Sequence, residues 1–199
     1  MSSIGPFTQA VLNSVAAIFR DDFEGRFRSL YEDTIDMLRL FPREPEGEVF
    51  NAFEHCSLAC KLAAEADDSS TSMAAVNAAK SKAQISLGQA RRHLSVGRFF
   101  CIEHQILFAM NRIRNYVASL PEDVREEKAF HQQQVDELER ELRVAEAIDI
   151  KPIYDVSELE RAMTEFEKDI ERMTKLLVRF LKLADDILGP AEVPPPAPA

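Results

Sequence analysis

Residues Leu159–Ile187 read LERAMTEFEKDIERMTKLLVRFLKLADDI, and this stretch decides the fold class. Leu159, Met163, Phe166, Ile170, Met173, Leu177, Phe180, Ala184 and Ile187 alternate four and three residues apart without a break. A 3.5-residue apolar period keeps one seam along a helix and favours a supercoiled helical partner. Upstream, Asp155 with Glu158 forms a capping-box start, and Gly189-Pro190 supplies the stop. The nearest partner in sequence is the 122–147 segment, where Val135, Leu138, Leu142 and Ala145 carry a similar alternation after Pro121. An antiparallel, coiled-coil-like hairpin over residues 121–189 is therefore expected, with a break at Asp149–Tyr154 and a disordered Pro/Ala tail over 190–199.

Residues 1–120 have the same helical character. A first stripe runs through Phe19, Phe23, Phe27, Leu30, Ile35 and Leu38, with a bend or break allowed at Gly25 and an end at Phe41-Pro42. Pro45 and Gly47 complete that turn, and a second helix from Glu48 to Ala66 places Phe50, Phe53, Ser57, Cys60 and Ala64 on one face. Asp67–Ser72 is a polar break with several capping residues. A third stripe comprises Val76, Ala79, Ala83, Leu87, Ala90 and Leu94; Gly97 reads as a helix-ending turn. The fourth comprises Phe99, Ile102, Ile106, Ala109, Ile113, Tyr116 and Leu120. With six glycines and no alternating strand pattern, the expectation is all-α: an antiparallel four-helix bundle (1–120) followed by the hairpin.

Composition narrows function by exclusion. No apolar run of about 18 residues is present, so no membrane span is expected, and the N-terminus MSSIGPFTQA lacks the pattern of an export signal. A cytoplasmic protein with reduced thiols at Cys56, Cys60 and Cys101 is the resulting expectation. The net charge of −10 is uneven: Met1–Ala118 holds 13 basic and 14 acidic residues, the remainder 11 and 20. Between Lys80 and Arg114 only Glu103 opposes seven cations.

Those cations, Lys80, Lys82, Arg91, Arg92, Arg98, Arg112 and Arg114, are the candidate surface for nucleic acid or an acidic partner. Internal pairing with the acidic C-terminal arm is the competing use. The seam residues Leu159, Met163, Phe166, Ile170, Met173, Leu177, Phe180 and Ile187 are the candidate assembly surface. Cys56-x3-Cys60 with Cys101-x2-His104 would suit a soft metal, yet buried cysteines also serve as small hydrophobes, and no metal or cofactor is expected. Arg98-x5-His104 resembles the Arg/His pair of the HEPN ribonucleases, in which both would act on a scissile phosphate; here Phe99 follows the arginine where that family carries a polar residue. Phosphate loops, nucleophile elbows and paired CxxC motifs are absent, so no catalytic residue is assigned.

Leu30-Tyr31, Leu40-Phe41-Pro42-Arg43-Glu44, VFNAFEHCSLACKLAAEA, LGQARRHLSVGRFF and QILFAMNRIRNYV carry a resemblance over residues 30–118. Their pattern is similar to the bacterial four-helix-bundle family of the ribosomal-RNA intervening-sequence protein and the accessory variability protein of diversity-generating retroelements. The family's Gly-Gly-Trp is replaced by Tyr116-Val117-Ala118-Ser119. The resemblance implies a non-enzymatic homo-oligomer, often ring-like, that presents a basic surface to a reverse transcriptase and its RNA. By position it touches Arg91, Arg92 and Arg98, and more weakly Arg112 and Arg114. The functional expectation is a self-assembling scaffold or adaptor with a protein partner, with nucleic acid as a further partner; the alternatives are an HEPN-like ribonuclease and a purely structural coiled-coil protein.

Overall fold

The computed structural model describes residues 4–68, 72–145, 153 and 155–189. Every regular element among them is helical: α1 (Pro6–Ala17), a π-helical stretch (Ile18–Phe27), α2 (Arg28–Leu38), α3 (Arg43–Ala66), α4 (Met73–Ser119), a 3-10 turn (Glu122–Val124), α5 (Arg125–Ala145) and α6 (Val156–Leu188). No helix is long and apolar enough to cross a membrane among these residues. The expected break at Asp149–Tyr154 (apart from Ile153) and the 190–199 tail lie outside the described residues. Contacts divide the chain into two compact units, Met1–Cys101 with Asp149–Glu171, and Ile102–Ile148 with Arg172–Ala199.

In the first unit, α1, the π stretch and α2 follow one another without interruption, so Gly25 does not break the rod. The rod ends at Leu38 rather than at Phe41-Pro42, because Arg39 takes a left-handed conformation (φ 57°) while its N–H bonds the Ile35 carbonyl at 2.7 Å. Pro45 and Gly47 belong to α3, not to the turn before it; a proline in the first helical turn forfeits no intrahelical bond. Asp67, just past the end of α3, accepts from the Phe7 and Thr8 amides at 3.3 and 2.7 Å, capping α1 from 60 and 59 residues away. Those bonds hold its carboxyl below the usual range.

The face α3 buries is not the expected one. Ala52, Cys56, Ala59, Ala63 and Ala66 are inside, whereas Phe50 and Phe53 are 64% and 38% exposed and Ser57 and Ala64 are also outside. Volume explains it. Val11 packs with Ala59 and Ala63, and Ile18 with Ala52, Cys56, Ala90 and Leu94. Alanines allow three helix backbones to close on one another, and a phenylalanine at those positions would hold them apart. On the rod, Phe27 is 1% exposed while Phe19 is 44% exposed.

Helix α4 is continuous over 47 residues, so the third and fourth expected helices are one and no turn forms at Gly97. Gly97 is buried, and a Cβ placed there would lie 2.8 Å from Cε2 of Phe27. Close approach of the rod, not chain reversal, is what this glycine permits. Of the two expected stripes, Ala79, Ala83, Ala90, Leu94, Phe99, Ile102, Ile106, Ala109 and Ile113 are buried, whereas Val76, Leu87, Tyr116 and Leu120 are only partly so and Val117 goes inside beside Tyr116.

The seam is buried within the chain: Leu159, Phe166, Ile170, Met173, Leu177, Phe180 and Ala184 are all inside, with Met163 and Ile187 partly so. Its first part lies on α4 instead of the 122–147 helix. Leu159 fills the space left by Gly88, Phe166 meets Phe99 at 6.0 Å between centroids, and Gln89 donates to the Ile153 carbonyl at 2.5 Å. The start of α6 is capped as its sequence requires, the Glu158 amide donating to Asp155 at 3.0 Å. In the second unit the later part of α4, α5 and the later part of α6 bury Ile106, Ile113, Val135, Leu138, Leu142, Met173, Leu177 and Phe180.

Candidate interaction surfaces

Most of the seven α4 cations already face partners within the chain. Arg98 donates to both Glu167 oxygens at 3.0 Å, and the buried Ser95 hydroxyl donates to the same carboxylate at 2.8 Å. Arg91 lies 3.5 Å from Asp22 on the π stretch. Burial pushes the Asp22 carboxyl up and Arg91 opposes that shift. Lys80 sits 5.4 Å above the Phe7 ring. Arg92 is half-buried; desolvation lowers its pKa and Glu48 raises it. Lys82 is exposed. In the second unit Arg114 pairs with Glu139, and Arg112 is 6.0 Å from the Phe108 centroid. Glu139 also takes Arg143 at 2.8 Å, and these cations hold its carboxyl low, Arg143 first.

Lys80, Lys82, Arg91, Arg92 and Arg98 lie in the first unit, Arg112 and Arg114 in the second. Two of them, Arg98 and Arg114, are met by carboxylates of the acidic C-terminal third. Arg98 and His104, the ribonuclease-like pair, fall in different units.

The thiols serve packing. Cys56 and Cys101 are buried, and burial drives the Cys101 thiol up to about 12, a shift that its bond to Thr34 only partly offsets. Desolvation, followed by Cys60, also raises Cys56. No group of three or more His, Cys, Asp or Glu among the described residues is placed to hold a metal ion.

Two clusters escaped the sequence reading. The first joins α3 to α4: Glu48 and the His93 Nδ1 are 2.6 Å apart, and the His93 ring stacks on His55 at 5.2 Å and 17°. The seven-residue spacing of Glu48 and His55 on α3 was legible, but nothing local placed His93 opposite. The His55 Nδ1 is buried with no hydrogen-bond partner among the described residues. Desolvation lowers the His55 pKa, with the neighbouring His93 adding to it. The folded state thus takes up a proton on His55 less readily than the unfolded chain, which protonates near pH 6.5, so stability falls as pH drops below about 6.5. Thermal melts at pH 7.5 and 5.5 should show this loss, and His55→Phe, which keeps a stacked ring without a titratable nitrogen, should reduce it. An unchanged pH dependence in that variant would remove His55 as its source.

The second cluster is the aromatic surface that the inverted α3 face creates. Phe19 and Phe53 stack at 5.3 Å and 19°, Phe23 joins both at 5.2 and 5.7 Å, and Phe50 lies one turn along α3. Three of these rings are substantially in solvent. Contiguous exposed apolar surface is what marks a macromolecular contact on a folded chain.

No family model, no curated protein and no solved structure matches this chain.

Proposed function

We propose that the chain is a helical interaction scaffold that assembles with copies of itself and presents the assembly to a protein partner. One observation carries this reading: Phe19, Phe50 and Phe53 remain in solvent on a chain that buries alanines beside them. Three aromatic side chains left in water are an unfavourable surface for a monomer and an effective anchor for an interface. The resemblance of residues 30–118 to the intervening-sequence protein family accords with it, since that family implies homo-oligomers. A nucleic-acid role for Lys80, Lys82, Arg91, Arg92, Arg98, Arg112 and Arg114, or a ribonuclease using Arg98 and His104, is less well supported. Phosphate would have to displace Glu167 from Arg98 and Glu139 from Arg114.

Light scattering tests the proposal. The full chain should run at a multiple of 22.5 kDa, and Phe19→Ser with Phe53→Ser should reduce the mass with helicity retained. A monomer at about 100 μM, where even weak self-association registers, would reject it.

A further inference from the structure

Within the second unit, α5 and α6 leave an open groove of about 810 Å³ that neither composition nor motif reading singled out. Four cations line it, Arg140 from α5 and Arg172, Lys175 and Arg179 from α6, against two carboxylates, Glu137 and Glu141. Its floor is apolar, with Leu176 inside and Val144 of α5 70% exposed. Towards Lys182 and Leu183 a second, smaller depression continues along the same pair of helices. Arg172, Lys175, Arg179 and Lys182 are spaced three, four and three residues apart, so they form one basic stripe three turns long, about 15 Å at 1.5 Å per residue. Lys175 and Lys182 have no hydrogen bond or ion pair among the described residues. Arg179 is held to Glu141, and both of those side chains are about half exposed.

We propose that this groove binds an acidic amphipathic helix of a partner protein. Charge complementarity identifies the occupant. On a chain of net charge −10, a surface with two cations in excess attracts the opposite sign to this one place. A helix carrying Glu or Asp every third and fourth residue matches the stripe's spacing, and its leucines would cover Val144 and the edge of Leu176. Nucleic acid fits less well. No aromatic side chain lines the groove for a base to stack on, and its apolar residues offer nothing to a phosphate backbone. The groove shares no residue with the aromatic surface on the π-helical stretch and α3.

The probe is a fluorescein-labelled peptide of about 20 residues, long enough to hold helix, with leucine at three-four spacing and glutamate on the flanks. The full-length protein should raise its anisotropy saturably, and the affinity should fall with added salt. A peptide of the same composition with the apolar stripe scrambled should bind at least about tenfold more weakly, because the apolar floor is then unused. Lys175→Glu with Arg179→Glu should weaken binding by about tenfold or more. Val144→Glu should weaken it as well, and helicity by circular dichroism should be unchanged in all three substitutions, which are at exposed positions. Equal binding of the scrambled peptide, equal binding by the charge-reversed protein, or no binding at about 100 μM overturns the proposal. So does a single-stranded RNA of about 20 nucleotides that binds more tightly and loses affinity on the same charge reversal, which would make the groove a phosphate site.

Discussion

Truncating Phe27 to alanine is expected to cost about 3–5 kcal/mol, the range for emptying a large aromatic from a packed core. The ring is 1% exposed, stacks between Phe23 and Tyr31 at 5.9 and 5.4 Å, and presses on Gly97 of α4. The informative part is its coupling to Gly97. In the interior of an α-helix, Gly→Ala normally gains about 1 kcal/mol from backbone entropy alone. Here the added Cβ would sit 2.8 Å from Cε2 of Phe27, whose buried ring has little room to withdraw, so Gly97→Ala should destabilise instead, by about 1–3 kcal/mol. In the Phe27→Ala background the obstacle is gone and the same change should stabilise. Urea denaturation of the four proteins measures that reversal of sign. If Gly97→Ala has the same effect in both backgrounds, the rod does not rest on α4 at this residue.

The second large effect concerns Arg98 and Glu167. Their side chains are 18% and 36% exposed, and the Ser95 hydroxyl beside them depends on the same carboxylate. Glu167→Ala would leave a guanidinium and a buried hydroxyl without their acceptor, a loss of about 1–3 kcal/mol. An exposed ion pair would contribute about 1 kcal/mol or less, so the size of the loss itself reports burial. Arg98→Ala should cost a similar amount, and the double replacement less than the sum of the two. Exchanging the charges, Arg98→Glu with Glu167→Arg, should recover part of the loss. Were Arg98 kept free for an external phosphate, Glu167→Ala would leave stability within about 0.5 kcal/mol, as surface substitutions usually do.

What could be read in advance follows from which forces are local. The all-helical class and the burial of the α6 seam residues were legible because apolar period records helix and burial together, but the seam, read as an assembly surface, lies inside the single chain. The Asp155 cap was legible because its partner is three residues away. The face of α3 was misread because hydrophobicity was weighed above volume, and where three backbones converge the alanines win. Gly97 was misread for a related reason. A glycine in a helical sequence signals either a stop or a neighbour, and the neighbour, Phe27, is 70 residues distant. Period also says that a seam is covered without naming the cover, so α4 beneath Leu159 and Phe166 was not foreseen.

The candidate sites follow the same division. Composition exposed a basic middle and an acidic end, but that Glu167 reaches Arg98 across 69 residues is a fact of the fold. The stacked His55 and His93 belong to different helices and share no motif. The aromatic surface could have been found by asking which of α3's two apolar faces is the narrower, because the narrow face goes inside.

With Arg98 and Arg114 neutralised internally, the proposed self-assembly rests on apolar surface and not on charge, and the two driving forces respond oppositely to salt. Sedimentation velocity of the full chain across about 50 to 500 mM sodium chloride separates them, since the Debye length shrinks severalfold over that range. The expected result is an assembly of several 22.5 kDa chains whose mass holds or rises with salt. A monomer throughout, or an assembly that dissociates as salt is added, would contradict it.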